Sequence, residues 1–522
     1  MTRLAGVLLA AVLACIPETG VRPPSTGDGI DVVELDVMEA QRRMAAGTLT
    51  SRALTRAYLA RIAAIDDAGP HLSAVLEVNA EAEADADVLD RERAAGRVRG
   101  PLHGIPVLIK DNIAVVGMAN SVGSLALAQH RPRTDAFLVA RLREAGAVIL
   151  GKTNLSEWAN FRGDRSTSGW SSRGGQTRNP YVLDRTPCGS SSGTGAAIAA
   201  SLATVGVGTE TDGSILCPAA MNALVGLKPT VGLISRSGIV PISVTQDTAG
   251  PMGRTVMDVA LLLTAMTGVD PADPRMVQTG PALNYTGGLR RDGLQGRRIG
   301  VMRGEGSNAA VDEAFARAIA ALRAGGAEIV DPVEISTAEK WVEQEIEVML
   351  HECKDGLNRY LVESGAPLKS LSEVIAWNKQ HASEVLRWFG QELFERAEAK
   401  GGLDSPAYLA ARASARKLAW DEGLGATLAK HRLDAVVAPT MGGPAWPIDP
   451  VLGDRYTGSS YGAAAVAGTP SLTVPMGDVH GLPLGLAFLG AAHSEAKLLA
   501  IGYAFEQATR ARKAPEFVPT LE

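Results

Sequence analysis

Apolar runs of strand length recur between amphipathic helical stretches along most of this chain, and that alternation limits the fold more than any other feature. "PVLIK" (106–110), "AVIL" (147–150), "ATVGVG" (203–208), "RRIGVM" (297–302), "AEIVD" (327–331), "LDAVVAP" (433–439) and "SLTVP" (471–475) read as strands. Thr48 to Ser51 offers N-cap side chains ahead of a helix with Leu54, Tyr58, Leu59 and Ile62 on one face. "AFLVARLREAG" reads as a helix stopped by Gly146, and Asn154 as the cap of another. This alternation predicts an α/β fold, a mixed β-sheet sandwiched between helices. No stretch after residue 30 is long enough to divide the chain, so residues 31–522 read as a single large domain.

The first thirty residues are different in kind. Arg3 precedes an apolar run from Leu4 to Ala14 that is too short to span a bilayer and fits a secretory signal over residues 1–15. Residues 16–30, rich in Pro, Gly, Ser and Thr, read as a flexible linker. "VLAC" resembles a bacterial lipobox, with Leu13 unusual inside it, and would place lipid on Cys15 as a membrane tether. The expectation is an exported protein, periplasmic or lipid-anchored at the bacterial envelope. A misassigned start codon would instead leave it cytoplasmic.

Several function classes fall away on composition. A formal net charge of −6 lacks the basic face that a nucleic-acid binder needs. The eight histidines are scattered, with no HExxH or CxxC pairing, so no metal site is expected. Four cysteines are too few for a disulfide framework in a chain of this size; Cys188, Cys217 and Cys353 read as small buried hydrophobes with no catalytic part. "GAVILGKT" (146–153) satisfies the phosphate-loop pattern GxxxxGK[ST]. Its four intervening residues are apolar and belong in a buried strand, so nucleotide binding is not inferred.

Reactive chemistry concentrates elsewhere. "TPCGSSSGTG" (186–195) sets three serines between glycines, yet no histidine lies between His130 and His351 to activate one. Lysine is the remaining base. The first 300 residues hold only Lys110, Lys152 and Lys228, and arginine supplies nearly all other positive charge there. Lysine, unlike arginine, can lose its proton when buried. Lys110 ends the apolar run of "HGIPVLIKDNI" and is the best candidate, although a strand-end lysine reaching solvent has the same pattern. Downstream, "GVGTETDGSILCPAA" places Ser214 after a turn-prone Thr-Asp-Gly. Successive backbone N–H groups of such a turn can converge on an oxyanion.

Together these residues resemble the amidase signature family of serine hydrolases, and the branch of bacterial peptide amidases within it. The likeness rests on Lys110 in "GIPVLIKDNI", on "PCGSSSGTG", and on "GTETDGSILCPAA" followed by "GLKPT". "GKTNLSEWANF", "RGGQTRNPY" and "AAAVAGTPSLTVPMG" extend it over nearly the whole chain after residue 30. The resemblance implies a Ser-Ser-Lys triad: Ser214 as nucleophile, Ser190 as proton relay behind a cis peptide bond, and neutral Lys110 as base. It implies an oxyanion hole from the backbone N–H groups of Thr211, Asp212, Gly213 and Ser214, with Ser191 a neighbour in the network. Asp212 departs from the glycine of many members, and its carboxylate must face away from the oxyanion or find a partner. Trp158, Asn160 and Trp170 are candidates to line the acyl side of the substrate, against the simpler reading of both tryptophans as packing residues.

The implied activity is hydrolysis of carboxamides to carboxylate and ammonia, with C-terminal amides of peptides as the leading substrate class. No metal or organic cofactor is implied, and a monomer or homodimer is expected. Two other readings compete. The amide-cleaving subunit of a tRNA-dependent amidotransferase shares the three motifs but works in the cytosol inside a complex. An inactive binding module on the same fold would have little need of Lys110, Ser190 and Ser214 together.

Overall fold

The computed structural model describes residues 29–521 apart from 274, 277–283 and 304–307. The expected signal peptide (1–15), Cys15 and almost all of the linker (16–30) lie outside the described residues.

Eleven strands form the main sheet: β1 (Val75–Val78), β2 (Pro106–Lys110), β3 (Val148–Thr153), β4 (Val205–Glu210), β5 (Val225–Lys228), β6 (Thr248–Gly253), β7 (Arg298–Met302), β8 (Glu328–Val333), β9 (Ala435–Pro439), β10 (Ser471–Val479) and β11 (Leu482–Leu489). Their spatial order is β1-β3-β2-β4-β6-β5-β10-β11-β9-β7-β8. Strand β2 runs parallel to both β3 and β4, whereas β6 is antiparallel to β4 and β5. The sheet is therefore mixed, as the alternation predicts. Residues of β2, β3, β4 and β6 are buried on both faces, which is why the parallel strands read as unbroken apolar runs. Helices Ser192–Ala199 and Val256–Met266 pack on these strands, and Glu495–Thr509 packs on β10 and β11, closing the main core. A second core of Trp158, Phe161, Leu350, Leu361 and Phe394 lies beneath helices Val342–Glu363, Leu371–Gln380 and Glu392–Glu398. No helix among the described residues is long and apolar enough to cross a membrane.

Local signals explain most boundaries. The Thr50 side chain accepts from the N–H of Ala53 and starts the helix Ser51–Arg61, which buries Leu54 and Tyr58 and leaves Leu59 half-buried. The helix Phe137–Glu144 ends just before Gly146, whose φ of 82° suits glycine.

Two expectations need correction. Asn154 caps no helix: its amide donates to Thr177 Oγ1 (3.0 Å) and its Oδ1 accepts from Ser171 (2.7 Å), pinning neighbouring loops. The helical stretch that follows is a single tight turn, because Trp158, Ala159 and Asn160 all take positive φ (54°, 52° and 70°) and cannot propagate a right-handed helix. Secondly, Cys188 and Cys217 form a disulfide, while Cys353 is free and buried. The turn before Ser190 and the helix after Ser214 meet in space, bringing two cysteines 29 positions apart to a Cα–Cα distance of 5.8 Å. Counting cysteines cannot reveal one such pair.

Candidate active site

Strands β2 and β4 run side by side and deliver their C-terminal ends to one place. Lys110 closes β2, and Thr209 and Glu210 close β4. The Lys110 side chain is fully buried, and its Nζ donates to Ser190 Oγ (2.8 Å), Thr209 Oγ1 (2.9 Å) and the Thr209 carbonyl (3.2 Å). Burial brings its pKa down to about 7, against the smaller opposing pull of Glu210 and Asp247. The neutral amine, the form able to take a proton, is therefore brought within reach of neutral pH.

Ser190 lies just past the helix-free turn 186–189, and the Gly189–Ser190 peptide bond is cis. Its carbonyl accepts from the Ser156 N–H at 3.1 Å. Ser191 ties three parts of the site together. Its hydroxyl donates to the Thr209 carbonyl (3.0 Å) and accepts from the Thr209 N–H (3.2 Å), while its own N–H donates to the Ser214 carbonyl (3.1 Å). Exposure rises from Lys110 (0%) through Ser190 (1%) to Ser214 (9%). Of the three, Ser214 is the most exposed.

Residues 211–214 form a turn between β4 and the helix Leu216–Met221. Gly213 has φ 75°, and a Cβ there would lie 2.3 Å from the Tyr461 ring, so both conformation and space demand glycine. Glu210, which the sequence reading passed over, organises this turn. Its buried carboxylate accepts the N–H groups of Ile215 (2.7 Å) and Leu216 (3.0 Å), and that of Gly213 also points toward it. Burial pushes Glu210 up, opposed by Lys228 and these N–H groups. The backbone of the turn is thus fixed from beneath before any substrate arrives, as an oxyanion site requires.

Asp212 is exposed to solvent. The protein packed around it, with Glu210 nearby, pushes its carboxyl up to about 7, against the pull of Lys228. Buried Glu345 is pushed well above the usual range by burial and then by Asp212; it accepts from Gln246 Nε2 at 2.8 Å.

The other two early lysines are buried too, in different company. Lys152 pairs with Asp111 (3.1 Å), and Lys228, held at about 8 by burial, faces Glu210, Glu495 and Asp212. Neither touches the serine run among the contacts of their ammonium groups. The phosphate-loop pattern 146–153 is the buried strand β3.

Trp158 and Trp170 stand edge-on to Phe394 (5.3 Å) and Phe389 (5.2 Å), and both are buried. Asn160 Oδ1 accepts from Ser166 Oγ (2.8 Å). Packing and loop contacts thus occupy all three. Ala159, between them, lines a cavity of about 470 Å³ that also touches Asn112, Thr209 and Thr211 but neither Ser190 nor Ser214. Among the described residues no group of three or more His, Cys, Asp or Glu is placed to hold a metal.

The mixed-sheet α/β fold is that of an amide-cleaving class of hydrolases, as comparison with known proteins shows. Residues 53–499 match the amidase family. A probable amidase from Arabidopsis thaliana is 41% identical over 484 residues, 90% of this chain and 89% of that one. The native peptide amidase of Stenotrophomonas maltophilia superposes with a TM-score of 0.89 at 55% identity, covering 93% of this chain and 99% of that one. The A subunit of the glutamyl-tRNA(Gln) amidotransferase of Halorhodospira halophila is 36% identical, with 91% of this chain and 97% of the subunit covered. The chain belongs to the amidase family; it is an amidase-type hydrolase of the amidase signature fold, similar to peptide amidase.

Proposed function

We propose that this protein removes ammonia from carboxamides, with the C-terminal amides of short peptides as its substrates, through Ser214, Ser190 and Lys110. The observation that carries the reading is the 2.8 Å hydrogen bond from a fully buried Lys110 to Ser190. Ser214 Oγ attacks the amide carbonyl carbon and its proton passes to Ser190 Oγ, which gives its own to the neutral Lys110 amine. The carbonyl oxygen becomes an oxyanion facing the backbone N–H groups of the 211–214 turn. The C–N bond then breaks, the stored proton returns through Ser190 to the leaving nitrogen, and ammonia departs. Water repeats the sequence on the acyl-enzyme and releases the carboxylate. Each group is conventional for nucleophilic acyl transfer; only the base is unusual.

Peptide amides are favoured over the amidotransferase reading by the 55–56% identity to peptide amidase structures, one of them bound to the competitive inhibitor chymostatin, against 36% to the A subunit. The buried disulfide favours export as well, since such bonds persist in oxidising compartments. Ammonia release across dipeptide amides, simple aliphatic amides and free asparagine tests the proposal. Turnover of dipeptide amides by the purified chain alone supports it. Activity confined to aliphatic amides, or seen only with partner subunits, overturns it.

A further inference from the structure

We infer that the Cys188–Cys217 disulfide is a positioning element of this site, holding the Ser190 turn against the Ser214 turn so that protons pass between the two hydroxyls. Cys188 lies two residues before Ser190, and Cys217 three residues after Ser214. The bridge therefore clamps the outer flanks of both turns, with the helix Ser192–Ala199 and strand β4 in the closed loop between them.

Local structure holds the two flanks unequally. Cys188 adopts φ 56°, a conformation that residues with a Cβ avoid, so its turn needs an outside restraint. The helix Leu216–Met221 has only six residues, too short to sustain itself, and is held at its start by the Glu210 carboxylate. Cys217 sits in its first turn and donates its N–H to the Gly213 carbonyl at 2.8 Å, so any shift of the sulfur is passed to the turn that carries Ser214. Other links also join the flanks. The Ser191 N–H donates to the Ser214 carbonyl, the Asn222 amide reaches the carbonyls of Pro187 (2.9 Å) and Pro218 (2.7 Å), and the Asn179 amide reaches those of Thr186 (3.1 Å) and Met221 (2.9 Å). All are hydrogen bonds that can lengthen; the bridge is covalent. Relay between hydroxyls is intolerant of such slack, since misplacement by about 1 Å can lower a rate about a hundredfold. Cys188 and Cys217 are 5% and 1% exposed, so the bond lies inside the protein beside the site.

This inference rests on the proposed roles of Ser190 and Ser214, and the test separates the two. The full chain and its Cys188→Ala/Cys217→Ala variant are compared below their unfolding transitions, by kcat and KM on a dipeptide amide and by the rate of fluorophosphonate labelling. We expect kcat and labelling to fall at least tenfold, KM to stay within threefold, and the pH of half-maximal kcat to stay put, because the bridge does not enter the surroundings of Lys110. A variant with a lower Tm and kcat within twofold of wild type overturns the inference and leaves the bridge a simple staple. Should the variant not fold, partial reduction of the folded wild type, with thiols counted by mass after alkylation, supplies the same comparison. Loss of kcat in proportion to the opened bridge, regained on reoxidation, supports positioning; full kcat with the bridge open refutes it. Absence of labelling in the oxidised wild type strikes instead at the nucleophile, and the inference falls with it.

Discussion

Lys152 Nζ stands 3.1 Å from Asp111 Oδ1, and both side chains are wholly buried, Asp111 next in sequence to Lys110 and Lys152 on the neighbouring strand β3. The other oxygen of Asp111 accepts from the N–H groups of Ser121 and Gly123 and from the Ser121 hydroxyl, so the pair anchors the loop after β2. Burial holds the Lys152 pKa below its ordinary value against the pull of Asp111. Removing one partner of such a pair strands the other charge, at a cost of about 3–5 kcal/mol. Lys152→Met and Asp111→Asn are each expected to lower the unfolding free energy by that order, measured by urea denaturation. The double variant should recover part of the loss, a coupling that a double-mutant cycle measures directly.

The proton on Lys110 sets both activity and stability, with opposite consequences for a variant. Its base form accumulates as pH rises through about 7, so the rising limb of the kcat profile is expected to lie in that region. Lys110→Met should lose about 10²–10⁴-fold in kcat, the usual weight of a general base. Folding lowers this pKa from 10.5, so the unfolded chain binds more protons between pH 7 and 10.5. Stability contributed by this group therefore rises with pH across that window, and the cost of burying the lysine is fully present below pH 7. The methionine variant should accordingly gain more Tm at pH 6 than at pH 9. A variant that gains nothing at pH 6 would contradict the shift.

Much of this site is legible in the sequence because its strongest constraints are local. A lysine at the end of an apolar strand, glycine-flanked serines and a Thr-Asp-Gly turn are each visible in a few residues. What escapes is what tertiary packing creates. Thr209 matters because β2 and β4 are neighbours, and nothing in "GTE" marks its hydroxyl as an acceptor for Lys110. Glu210 reads as an exposed charge until the turn folds back over it. The same holds for β6, whose "TAGPMG" looks like a loop. Its Gly250 is needed because a Cβ would meet the Leu227 carbonyl at 2.1 Å, a contact between strands that the residues alone do not announce.

Gly213 offers a steric test of the turn. Replacing it with alanine forces a Cβ into the Tyr461 ring at 2.3 Å and strains a φ of 75°. Gly213→Ala is expected to lower kcat at least tenfold by displacing the N–H groups of the turn. Gly213→Ala/Tyr461→Ala removes the clash but keeps the strain, so it should restore only part of the activity. Full restoration in single-turnover acylation would mean that the clash alone disturbs the turn.

A titratable carboxyl at Asp212 predicts a falling limb on the alkaline side of the profile. That carboxyl titrates at about 7, so above that pH a negative charge stands two residues from Ser214, where the transition state places another. The rise due to Lys110 and the fall due to Asp212 then overlap, and a narrow bell centred near neutrality is expected. Asp212→Asn removes the falling limb and leaves the rising one, because Lys110 is shifted by burial and answered by Glu210 and Asp247, not by Asp212. Asp247 provides the contrasting case. Its carboxylate raises the Lys110 pKa while accepting from Thr211 Oγ1 (2.6 Å) and from the N–H groups of Ile242 and Ser243. Asp247→Asn should therefore move the rising limb to lower pH. Profiles of kcat for the two variants, recorded side by side on one peptide amide, check both assignments: each limb must respond to its own residue and to no other.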